Sequence, residues 1–347
     1  MPLETLSSPS LEPRQQGRPT RVAIVGATGY AGQELVRLLA RHPAVELTMA
    51  TASQATSEPR RLPAVARIWD GEIRPLDLDA VIESAEIVFL ALPEAAAAAI
   101  APRLLDRGRR VIDLSGAFRL REEQARAQWY PATAAVPAGV AYGLTEFEAD
   151  AIRVARLVAN PGCYPMASLL ALLPLVRARL IAADCDVVVD AKSGISGAGK
   201  TPSERTHFSE NHGSVAAYGA FTHRHAPEME QALARQVTFV PHLVPLDRGI
   251  LSSVYVRLAD GATEADVAAA FDHAYVQAPF VRLTGTTLPE IKHVAWTNFC
   301  DIGWKVDEAT GRAVIVSVID NLLKGAAGSA VQNFNVMSGI DERVGLL

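Results

Sequence analysis

The sequence predicts an α/β protein with two domains, a doubly wound parallel sheet followed by an α+β domain with a largely antiparallel or mixed sheet. Three observations support this prediction. The chain has 347 residues, which is too long for one ordinary core. Before residue 163, short apolar runs alternate with helical patterns, as in parallel sheets covered on both faces. After residue 163 the apolar runs are longer, which is typical of antiparallel or mixed sheets.

The first half contains four short apolar runs that we interpret as buried parallel strands. They are the segments 21–26, 45–53, 86–93 and 109–116. The first run ends in glycine and precedes leucines at helical spacing. That helix is expected to end at His42, because the residue before Pro43 avoids helical geometry. The alanine-rich segment 94–108 predicts another helix between the third and fourth runs.

The second half begins with a predicted helix and continues with longer strands. The helix covers 166–180 and contains Pro174, which should kink it. The predicted strands are 185–194, 237–245, 249–259, 294–304 and 313–319. A helix is predicted at 262–276, and a long C-terminal helix is expected to end near residue 337.

The composition is typical of a soluble globular protein. The net charge is -5, with 38 acidic and 33 basic residues, so no basic field would attract nucleic acid. No uncharged apolar segment reaches the roughly 18 residues of a membrane span. Residues 1–20 are polar and proline-rich, so we expect a disordered tail without a secretory or organellar signal.

Three cysteines, Cys163, Cys185 and Cys300, are widely spaced along the chain. An odd number without a CxxC pair argues against a disulfide framework or a zinc site and indicates a reducing, cytoplasmic environment. We expect Cys185 and Cys300, both within predicted strands, to be small buried hydrophobes.

Cys163 differs because it follows the turn-forming Pro161-Gly162 and precedes a helical pattern. Pro165 suits the first position of a helix, where no amide donor is needed. The unpaired amides of a helix start stabilise a thiolate and could also hold an oxyanion. The sequence therefore predicts an exposed, ionised Cys163 that acts as a nucleophile.

The segment GATGYAG places Gly26, Gly29 and Gly32 between a predicted strand and a predicted helix. Glycines at this point allow a tight turn and a close approach of the backbone to a pyrophosphate. The strand before and the helix after favour a Rossmann-type dinucleotide site over a structural turn. Thr28 and Tyr30 in the same loop are further cofactor-binding candidates.

The end of the second strand indicates which dinucleotide binds. An NAD site usually carries an acid there, whereas this chain has Thr51 and Ser53 at the predicted tip and Arg60 and Arg61 beyond it. Hydroxyl and guanidinium groups would accept a 2'-phosphate, so NADP(H) is favoured. The alternative is that the arginines are an ordinary solvated pair. Pro93, at the end of the third apolar run, is a further candidate for cofactor binding.

Two histidines could act with Cys163. His223 and His225 lie just ahead of a helix that begins with Pro227 and Glu228. Histidine titrates near neutral pH and is the usual proton-transfer partner of a nucleophilic thiol. We favour His225 as the acid/base, because Glu228 could orient its ring, with His223 as the alternative. No third ligand has a recognisable spacing, so a metal site is not expected.

Several segments together resemble the N-acetyl-gamma-glutamyl-phosphate reductases of arginine biosynthesis. The segments are VAIVGATGYAGQELVRLL, DLSGAFRL, ANPGCYPMA, KSGISGAGK, HFSENH, AYGAFTHRHAPEMEQAL, PHLVPLDRGIL and DNLLKGAAGSAVQNFNVM. The glycine loop alone is shared with aspartate-semialdehyde dehydrogenases, whereas the combination with HRHAPE and LLKGAAGSAVQN is more specific. The resemblance covers nearly the whole chain beyond the tail.

The resemblance implies a fold of the semialdehyde dehydrogenase type, NADP(H) as cofactor and an acyl-phosphate substrate. It implies a Rossmann domain formed by 21–162 with 321–347, and a catalytic and oligomerisation domain at 163–320 that forms homodimers or homotetramers. It makes Cys163 the nucleophile and places the histidine pair in the substrate pocket. The other implied site residues are Arg119, Ser193 and Glu228 for the substrate, and Asn321 and Gly325 near the nicotinamide.

Other interpretations remain open from the sequence. The same chemistry could act on aspartyl phosphate or on a carrier-linked aminoadipyl phosphate, since specificity depends on pocket contacts. A non-catalytic dinucleotide sensor could use the same glycine loop. A scaffold role would leave both the loop and the presented thiol unexplained. For Arg119 and Asn321, a surface salt bridge and a turn or cap role, respectively, are the structural alternatives.

Overall fold

The computed structural model describes residues 18–53, 58–133 and 135–347, which form two seven-stranded sheets with helices. The predicted disordered tail lies outside the described residues except for residues 18–20. The first strand already includes Thr20. Among the described residues, no helix has the length and apolar character needed to cross a bilayer.

The first sheet is entirely parallel, as predicted, and its strand order is β3-β2-β1-β4-β5-β7-β6. Its strands are β1 (Thr20–Val25), β2 (Val45–Thr51), β3 (Ile73–Arg74), β4 (Ile87–Leu90), β5 (Arg110–Asp113), β6 (Val140–Tyr142) and β7 (Leu157–Ala159). The short strands β3, β6 and β7 escape the sequence prediction. With two or three residues each, they are too short to give a periodic signal.

Helices cover both faces of this sheet. They are α1 (Tyr30–Leu39), α2 (Leu78–Ser84), α3 (Glu94–Asp106), α4 (Glu123–Trp129) and α5 (Thr145–Val154). Alternate residues of β1 enter different cores: Val22 and Ile24 pack on one side of the sheet, Ala23 and Val25 on the other. This double burial explains why the strands appear in the sequence as continuous apolar runs.

The second sheet is mixed, with the order β12-β13-β14-β11-β8-β10-β9. Its strands are β8 (Val187–Gly194), β9 (Ala216–Ala217), β10 (Val237–Val244), β11 (Ile250–Arg257), β12 (Val281–Gly285), β13 (Cys300–Asp307) and β14 (Arg312–Ile319). Two neighbouring pairs, β8 with β10 and β12 with β13, are parallel, and the other pairs are antiparallel. The strand predicted at 294–304 begins only at Cys300.

The helices of the second half are α6 (Cys163–Arg177), α7 (Phe208–Asn211), α8 (Ala226–Leu233), α9 (Glu264–Tyr275) and α10 (Gly328–Met337), with a π-helix at Leu323–Ala327 just before α10. Helix α6 is buried along most of its length and continues through Pro174 to Arg177. Helix α10 is fully buried and returns to the first sheet, where Phe334 packs against Phe89 with ring centroids 6.1 Å apart. The C-terminal helix therefore completes the core of the first half.

Candidate active site

A cleft of about 650 Å³ lies where the two halves of the chain meet. From the first half it is lined by Pro93, Ser115, Gly116, Arg119 and Tyr130, and from the second by Arg205, Tyr218, His223, Arg224 and His225. Several of the first-half residues directly follow the carboxyl ends of β4 and β5. Ligands of open parallel sheets bind at this edge of the strands.

The glycine loop has the geometry that the sequence predicts. Gly26 has φ +94°, and a Cβ at this position would lie 2.2 Å from the carbonyl oxygen of Ala91. A Cβ at Gly32 would lie 2.2 Å from the carbonyl oxygen of Gly26, so both positions require glycine. Gly29 caps α1 without a side-chain bond, which leaves the amides of the helix start free for an anion.

The loop also contacts the second half of the chain. The carbonyl oxygen of Thr28 accepts hydrogen bonds from Gln33 Nε2 (2.9 Å) and Lys200 Nζ (3.3 Å). Tyr30, the first residue of α1, is 38% exposed. Pro93 precedes α3 and lines the cleft.

The end of β2 differs from the prediction. The strand ends at Thr51, so Ser53 lies beyond it rather than at its tip. Thr51 is fully buried and its hydroxyl has no hydrogen-bond partner, whereas Ser53 is exposed. Arg60 and Arg61 are exposed as well, and the backbone of Arg60 pairs with that of Ile73. Among the described residues that follow this strand, Ser53, Arg60 and Arg61 expose a hydroxyl and two guanidinium groups, and Glu58 exposes a carboxylate.

Cys163 is the first residue of α6, with Gly162 in extended geometry as the N-cap. Pro165 is thus the third helical residue, not the first. The side chain of Cys163 is half-buried and does not line the cleft, whereas Arg119 and His225, which lie against the preceding Gly162, do. Cys163 is therefore less open than the sequence predicts.

The ionisation of Cys163 contradicts the prediction of a thiolate. Burial raises the pKa of the thiol to about 11, although the Arg119 guanidinium and the backbone N–H of Tyr164 act to lower it. The desolvation of the anion outweighs the helix start. The thiol is therefore protonated at neutral pH, and a base is needed to form the thiolate.

The other cysteines pack as hydrophobes to different degrees. Cys300 is fully buried in β13, as predicted, and burial raises its pKa to about 12. Cys185 precedes β8 rather than lying in it and is half-buried. Its Sγ accepts a hydrogen bond from the backbone N–H of Arg257 (2.9 Å), which anchors this turn.

His225 lies beside Gly162, the residue that precedes Cys163. A Cβ built on Gly162 would lie 2.4 Å from His225 Nε2, so this ring nitrogen faces the residue that precedes Cys163. The other ring nitrogen, Nδ1, is buried and has no hydrogen-bond partner. Burial, assisted by His223 and by neighbouring arginines, lowers the pKa of His225 well below its usual value. His225 is therefore neutral and able to accept a proton at neutral pH.

His223 supports this arrangement. Its Nδ1 accepts a hydrogen bond from the backbone N–H of His225 (3.1 Å), and the two rings meet edge to face with centroids 4.7 Å apart. Burial lowers the pKa of His223 to about 4, with Arg224 acting in the same direction. His223 is neutral as well, and its bonded Nδ1 leaves only Nε2 free to exchange protons.

Glu228 does not orient a histidine ring, contrary to the prediction. It is fully buried in α8 and accepts hydrogen bonds from Tyr142 Oη (2.7 Å) and the backbone N–H of Gly162 (2.9 Å). Its other oxygen pairs with Arg119 Nη1 at 3.3 Å. With no exposed surface, Glu228 holds Gly162 and Arg119 in place and is not available for direct contact with a substrate.

Arg119 is buried but borders the cleft. Its Nε donates to the carbonyl oxygen of Asn160 (2.8 Å), Nη2 to that of Leu114 (2.8 Å), and Nη1 to Glu228. A guanidinium carries five N–H donors, so at most two face the cleft. Arg119 can meet one anionic group, and only with the donors that the protein leaves unused.

The other predicted residues lie in the surrounding network. Ser193 is buried and its hydroxyl donates to the carbonyl oxygen of Gly194 (3.0 Å). Asn321 accepts from the backbone N–H of Gly249 (2.7 Å) and donates to Ser196 Oγ (2.9 Å), so both ends of its amide are engaged.

Gly325 lies in the π-helix directly against Cys163. A Cβ at this position would lie 2.9 Å from the Cβ of Cys163. The absence of a side chain at Gly325 therefore sets the space behind the thiol. In the part of the chain that the structure describes, no cluster of three or more His, Cys, Asp or Glu side chains could hold a metal.

Sequence reasoning missed two arginines in the cleft. Arg224 pairs with Glu94 Oε2 (3.0 Å) at the start of α3, and the Arg205 guanidinium lies 4.8 Å from the ring centroid of Tyr218. Arg224 lies between the two predicted histidines, and this position could have revealed it. Arg205 is in a polar loop without a periodic pattern and gives no such signal.

Comparison with known proteins gives two family matches. Residues 21–155 match the family described as "Semialdehyde dehydrogenase, NAD binding domain", and residues 163–321 match "Semialdehyde dehydrogenase, dimerisation domain". The chain is 44% identical over 336 residues to a protein from Shouchella clausii named N-acetyl-gamma-glutamyl-phosphate reductase, with 94% of this chain and 97% of that protein covered. A protein of the same name from Pelotomaculum thermopropionicum is 45% identical over 348 residues, with the same coverage.

Solved structures share the fold at low sequence identity. Aspartate semialdehyde dehydrogenase II from Vibrio cholerae, complexed with ASA, superposes with a TM-score of 0.72 at 19% identity, covering 93% of this chain and 99% of that one. Aspartate semialdehyde dehydrogenase from Candida albicans, solved with NADP, gives a TM-score of 0.69 at 14% identity, covering 92% and 98%. These likenesses confirm the predicted fold class of a Rossmann-like domain joined to a dimerisation domain.

Proposed function

The chain belongs to the N-acetyl-gamma-glutamyl-phosphate reductase family, and we propose that it reduces N-acetyl-gamma-glutamyl phosphate to N-acetyl-glutamate semialdehyde with release of phosphate. This is the reaction for which its relatives at 44% and 45% identity are named, read in the direction of arginine biosynthesis. The observation that carries the proposal is the position of Cys163 at a helix start, where it lies against Gly325 and directly follows Gly162, which His225 and Arg119 approach.

The first step is the attack of Cys163 on the acyl carbon. Because the thiol is protonated at rest, neutral His225 takes its proton as the sulfur–carbon bond forms. The bond from the acyl carbon to the phosphate oxygen then breaks, and phosphate leaves with the bonding electron pair. The product is a thioester on Cys163.

The start of α6 stabilises the charge that develops on the acyl oxygen. The backbone N–H groups of Cys163 and Tyr164 both favour an anion at the sulfur, so they lie near the reacting centre. Glu228 fixes the N-cap residue Gly162, which precedes these amides. Preorganised donors of this kind are effective because they need no rearrangement during the reaction.

The glycine loop fits a nicotinamide dinucleotide, because Gly26 and Gly32 permit the tight turn from strand to helix and the start of α1 has no side-chain cap on its amides. When bound, the cofactor supplies the hydride that reduces the thioester. We propose that it is NADP(H), with Gly29, Thr28 and Tyr30 at the pyrophosphate side, and Ser53 and Arg60 at the 2'-phosphate.

Release of the aldehyde needs a proton transfer at the same place. As the tetrahedral alkoxide collapses and the carbon–sulfur bond breaks, the sulfur regains the proton that His225 took up. His223 is the alternative carrier, since its Nε2 is unbonded to the backbone. The cycle then returns to a protonated Cys163 and a neutral His225.

Cationic groups in the cleft account for the choice of a doubly anionic substrate. Arg119 offers at most two donors, whereas Arg205 and Arg224 present their guanidinium groups from the second half of the chain. We propose that Arg119 meets the group at the reacting end and that the other two arginines meet the remaining anion. Ser193 and Asn321 support the surrounding loops.

The assembly and location follow from the family. The match to a dimerisation domain covers the second sheet, and we propose a cytoplasmic homodimer or homotetramer that uses this sheet. The domain division we propose is 21–162 with 321–347, and 163–320, because α10 packs into the core of the first sheet.

The experiment that tests the proposal is the capture of the acyl-enzyme. The protein is mixed with N-acetyl-gamma-glutamyl phosphate without NADPH, quenched in acid and examined by peptide mass spectrometry. We expect one N-acetyl-glutamyl group on the peptide with Cys163, and none in a Cys163→Ala variant that still binds NADPH. Acylation elsewhere, or turnover by Cys163→Ala, would contradict the mechanism. Parallel assays with aspartyl phosphate and a carrier-linked aminoadipyl phosphate identify the preferred substrate.

A further inference from the structure

A buried ionic cluster lies between the glycine-loop helix and the strand end behind the nucleophile. We call the four residues Arg248, Glu34, Asp320 and Trp296 the Arg248 cluster. Arg248 lies in the loop between β10 and β11, and its side chain is only 8% exposed. Its Nη2 is 2.6 Å from Glu34 Oε1 and its Nη1 is 3.5 Å from Asp320 Oδ2. The ring centroid of Trp296 lies 3.6 Å from the guanidinium carbon.

One arm of the cluster leads to the cofactor site. Glu34 lies in α1, whose first residue is Tyr30, one turn from the glycine loop. Its carboxylate is nearly buried and also accepts from Arg37 Nη1 (3.1 Å). Arg248 therefore connects the helix that carries the pyrophosphate loop to the second half of the chain.

The other arm leads to Cys163. Asp320 Oδ1 accepts the backbone N–H groups of Leu322 (2.8 Å) and Leu323 (3.0 Å), which fixes the entry to the π-helix. The carbonyl oxygen of Asp320 accepts from Gly325 N–H (2.9 Å), and Gly325 lies against the nucleophile. The position of Asp320 thus determines the position of the wall behind Cys163.

Trp296 closes the cluster in a strained conformation. Its φ is +67°, which is rare for a bulky residue, and its side chain is 60% exposed. Its backbone N–H donates to Asp320 Oδ2 (2.7 Å), and its ring stacks on Arg248. Strain of this kind persists where the surroundings determine the conformation, and it is often found at functional sites.

Both carboxylates would keep hydrogen-bond partners without Arg248, although the buried Asp320 would lose its ion pair. Without Arg248, Glu34 would keep its pair with Arg37, and Asp320 would keep three backbone N–H donors. Helix α1 also packs directly against the π-helix. What Arg248 alone supplies is a planar, two-sided cation that sets the distance between Glu34 and Asp320.

We infer that Arg248 is a positioning residue for hydride transfer, which holds the cofactor helix α1 in register with the Cys163 wall. The inference rests on the proposed function. A positioning role of this kind affects the two chemical steps differently. Thioester formation needs Cys163, His225, Arg119 and the helix start, whereas reduction also needs the nicotinamide aligned with the thioester. Misplacement by about 1 Å can slow such a step by about 100-fold.

The test compares Arg248→Met with a matched control, Arg153→Met. The first variant removes the cation and keeps an unbranched side chain, while Arg153 forms only an exposed pair with Asp150 on α5. Phosphate release is followed in single turnover without cofactor, and NADPH oxidation is followed after mixing with preformed acyl-enzyme. For Arg248→Met we expect acylation within about twofold of wild type and reduction slower by about 10- to 100-fold. We also expect a larger primary isotope effect with 4-deuterated NADPH.

Other variants and outcomes separate positioning from stability. Arg248→Lys keeps one charge but not the planar fork, so we expect an intermediate reduction rate. Arg153→Met should match wild type in both steps. Equal slowing of acylation and reduction in Arg248→Met, or no slowing of either, overturns the inference.

A failure of the proposed function has a different signature, because the wild-type protein would then form no acyl-enzyme at all. In that case the dissociation constant of NADPH decides the role of Arg248. A value for Arg248→Met that is several-fold higher than for Arg153→Met supports the positioning of α1, and equal values reject it.

Discussion

Replacement of Glu228 by glutamine should separate the ionisation of Cys163 from its catalytic use. Glutamine keeps the shape and the Oε1 acceptor for Tyr142 and Gly162, but it places an amide N–H₂ against Arg119 Nη1. Breaking a buried ion pair from one side costs about 3–5 kcal/mol. With an unfolding entropy of about 2.1 cal/mol/K per residue, that loss corresponds to a fall in Tm of roughly 4–7 °C if all 347 residues unfold together.

The same substitution should lower the pKa of the nucleophile. The Glu228 carboxylate opposes ionisation of Cys163, and Arg119 favours it, so removal of the carboxylate charge shifts the thiol pKa down from about 11. Turnover should nevertheless fall by about tenfold or more, because Arg119 loses the contact that orients it. The variant is therefore expected to have a more ionised but less productive thiol.

The assay is the pH dependence of alkylation of Cys163 by iodoacetamide, followed on the Cys163 peptide at a temperature where the variant is folded. Asp150→Asn, which alters a carboxylate that is 97% exposed, is the control and should leave the profile unchanged. The reasoning would be refuted if the alkylation midpoint of Glu228→Gln stayed in place or moved to higher pH. It would also be refuted if Glu228→Gln turned over substrate as fast as the wild type.

Three further changes have expected outcomes. Gly325→Ala places a Cβ 2.9 Å from that of Cys163, so we expect overpacking of about 1–3 kcal/mol, measured by urea unfolding, and a loss of kcat. The control Gly108→Ala strains an exposed turn at φ +77°, so it should lower stability without a loss of kcat. Arg60→Ala should raise the KM for NADPH at least several-fold and leave that for NADH unchanged, and equal changes in both would reject a 2'-phosphate site. The folded-state pKa of His223 is lowered to about 4, so the unfolded chain binds more protons between pH 4 and 6.5. The stabilising contribution of neutral His223 is fully present above its unfolded-state pKa and is lost as the pH falls towards its folded-state pKa. We therefore expect His223→Asn to reduce the slope of the unfolding midpoint against pH in this range.

Local patterns made the glycine loop and the helix start at Cys163 predictable from the sequence. Gly26 and Gly32 are fixed by backbone contacts within one strand–turn–helix unit. The start of α6 is likewise encoded locally, by a turn followed by a continuous apolar run. The parallel first sheet follows from its buried runs, although its two- and three-residue strands do not.

The predictions that were wrong concern properties that depend on tertiary contacts. The pKa of Cys163 is set by burial between α6, α8 and the π-helix, which no local spacing reveals. The partners of Glu228 are 66, 86 and 109 residues away in the chain, so proximity to His225 in sequence suggested the wrong one. Cys185 was assigned to a strand because apolar residues follow it, but β8 begins only at Val187.

The measurement that tests the central claim most directly is the chase of isolated acyl-enzyme with NADPH. The thioester on Cys163 is purified without cofactor, mixed with NADPH in a single turnover, and the oxidised cofactor, the aldehyde and the free thiol are counted. The account predicts one NADPH oxidised and one N-acetyl-glutamate semialdehyde released for each acyl group, with Cys163 restored. An acyl-enzyme that stays intact in the presence of NADPH, or that yields only N-acetyl-glutamate, would contradict it.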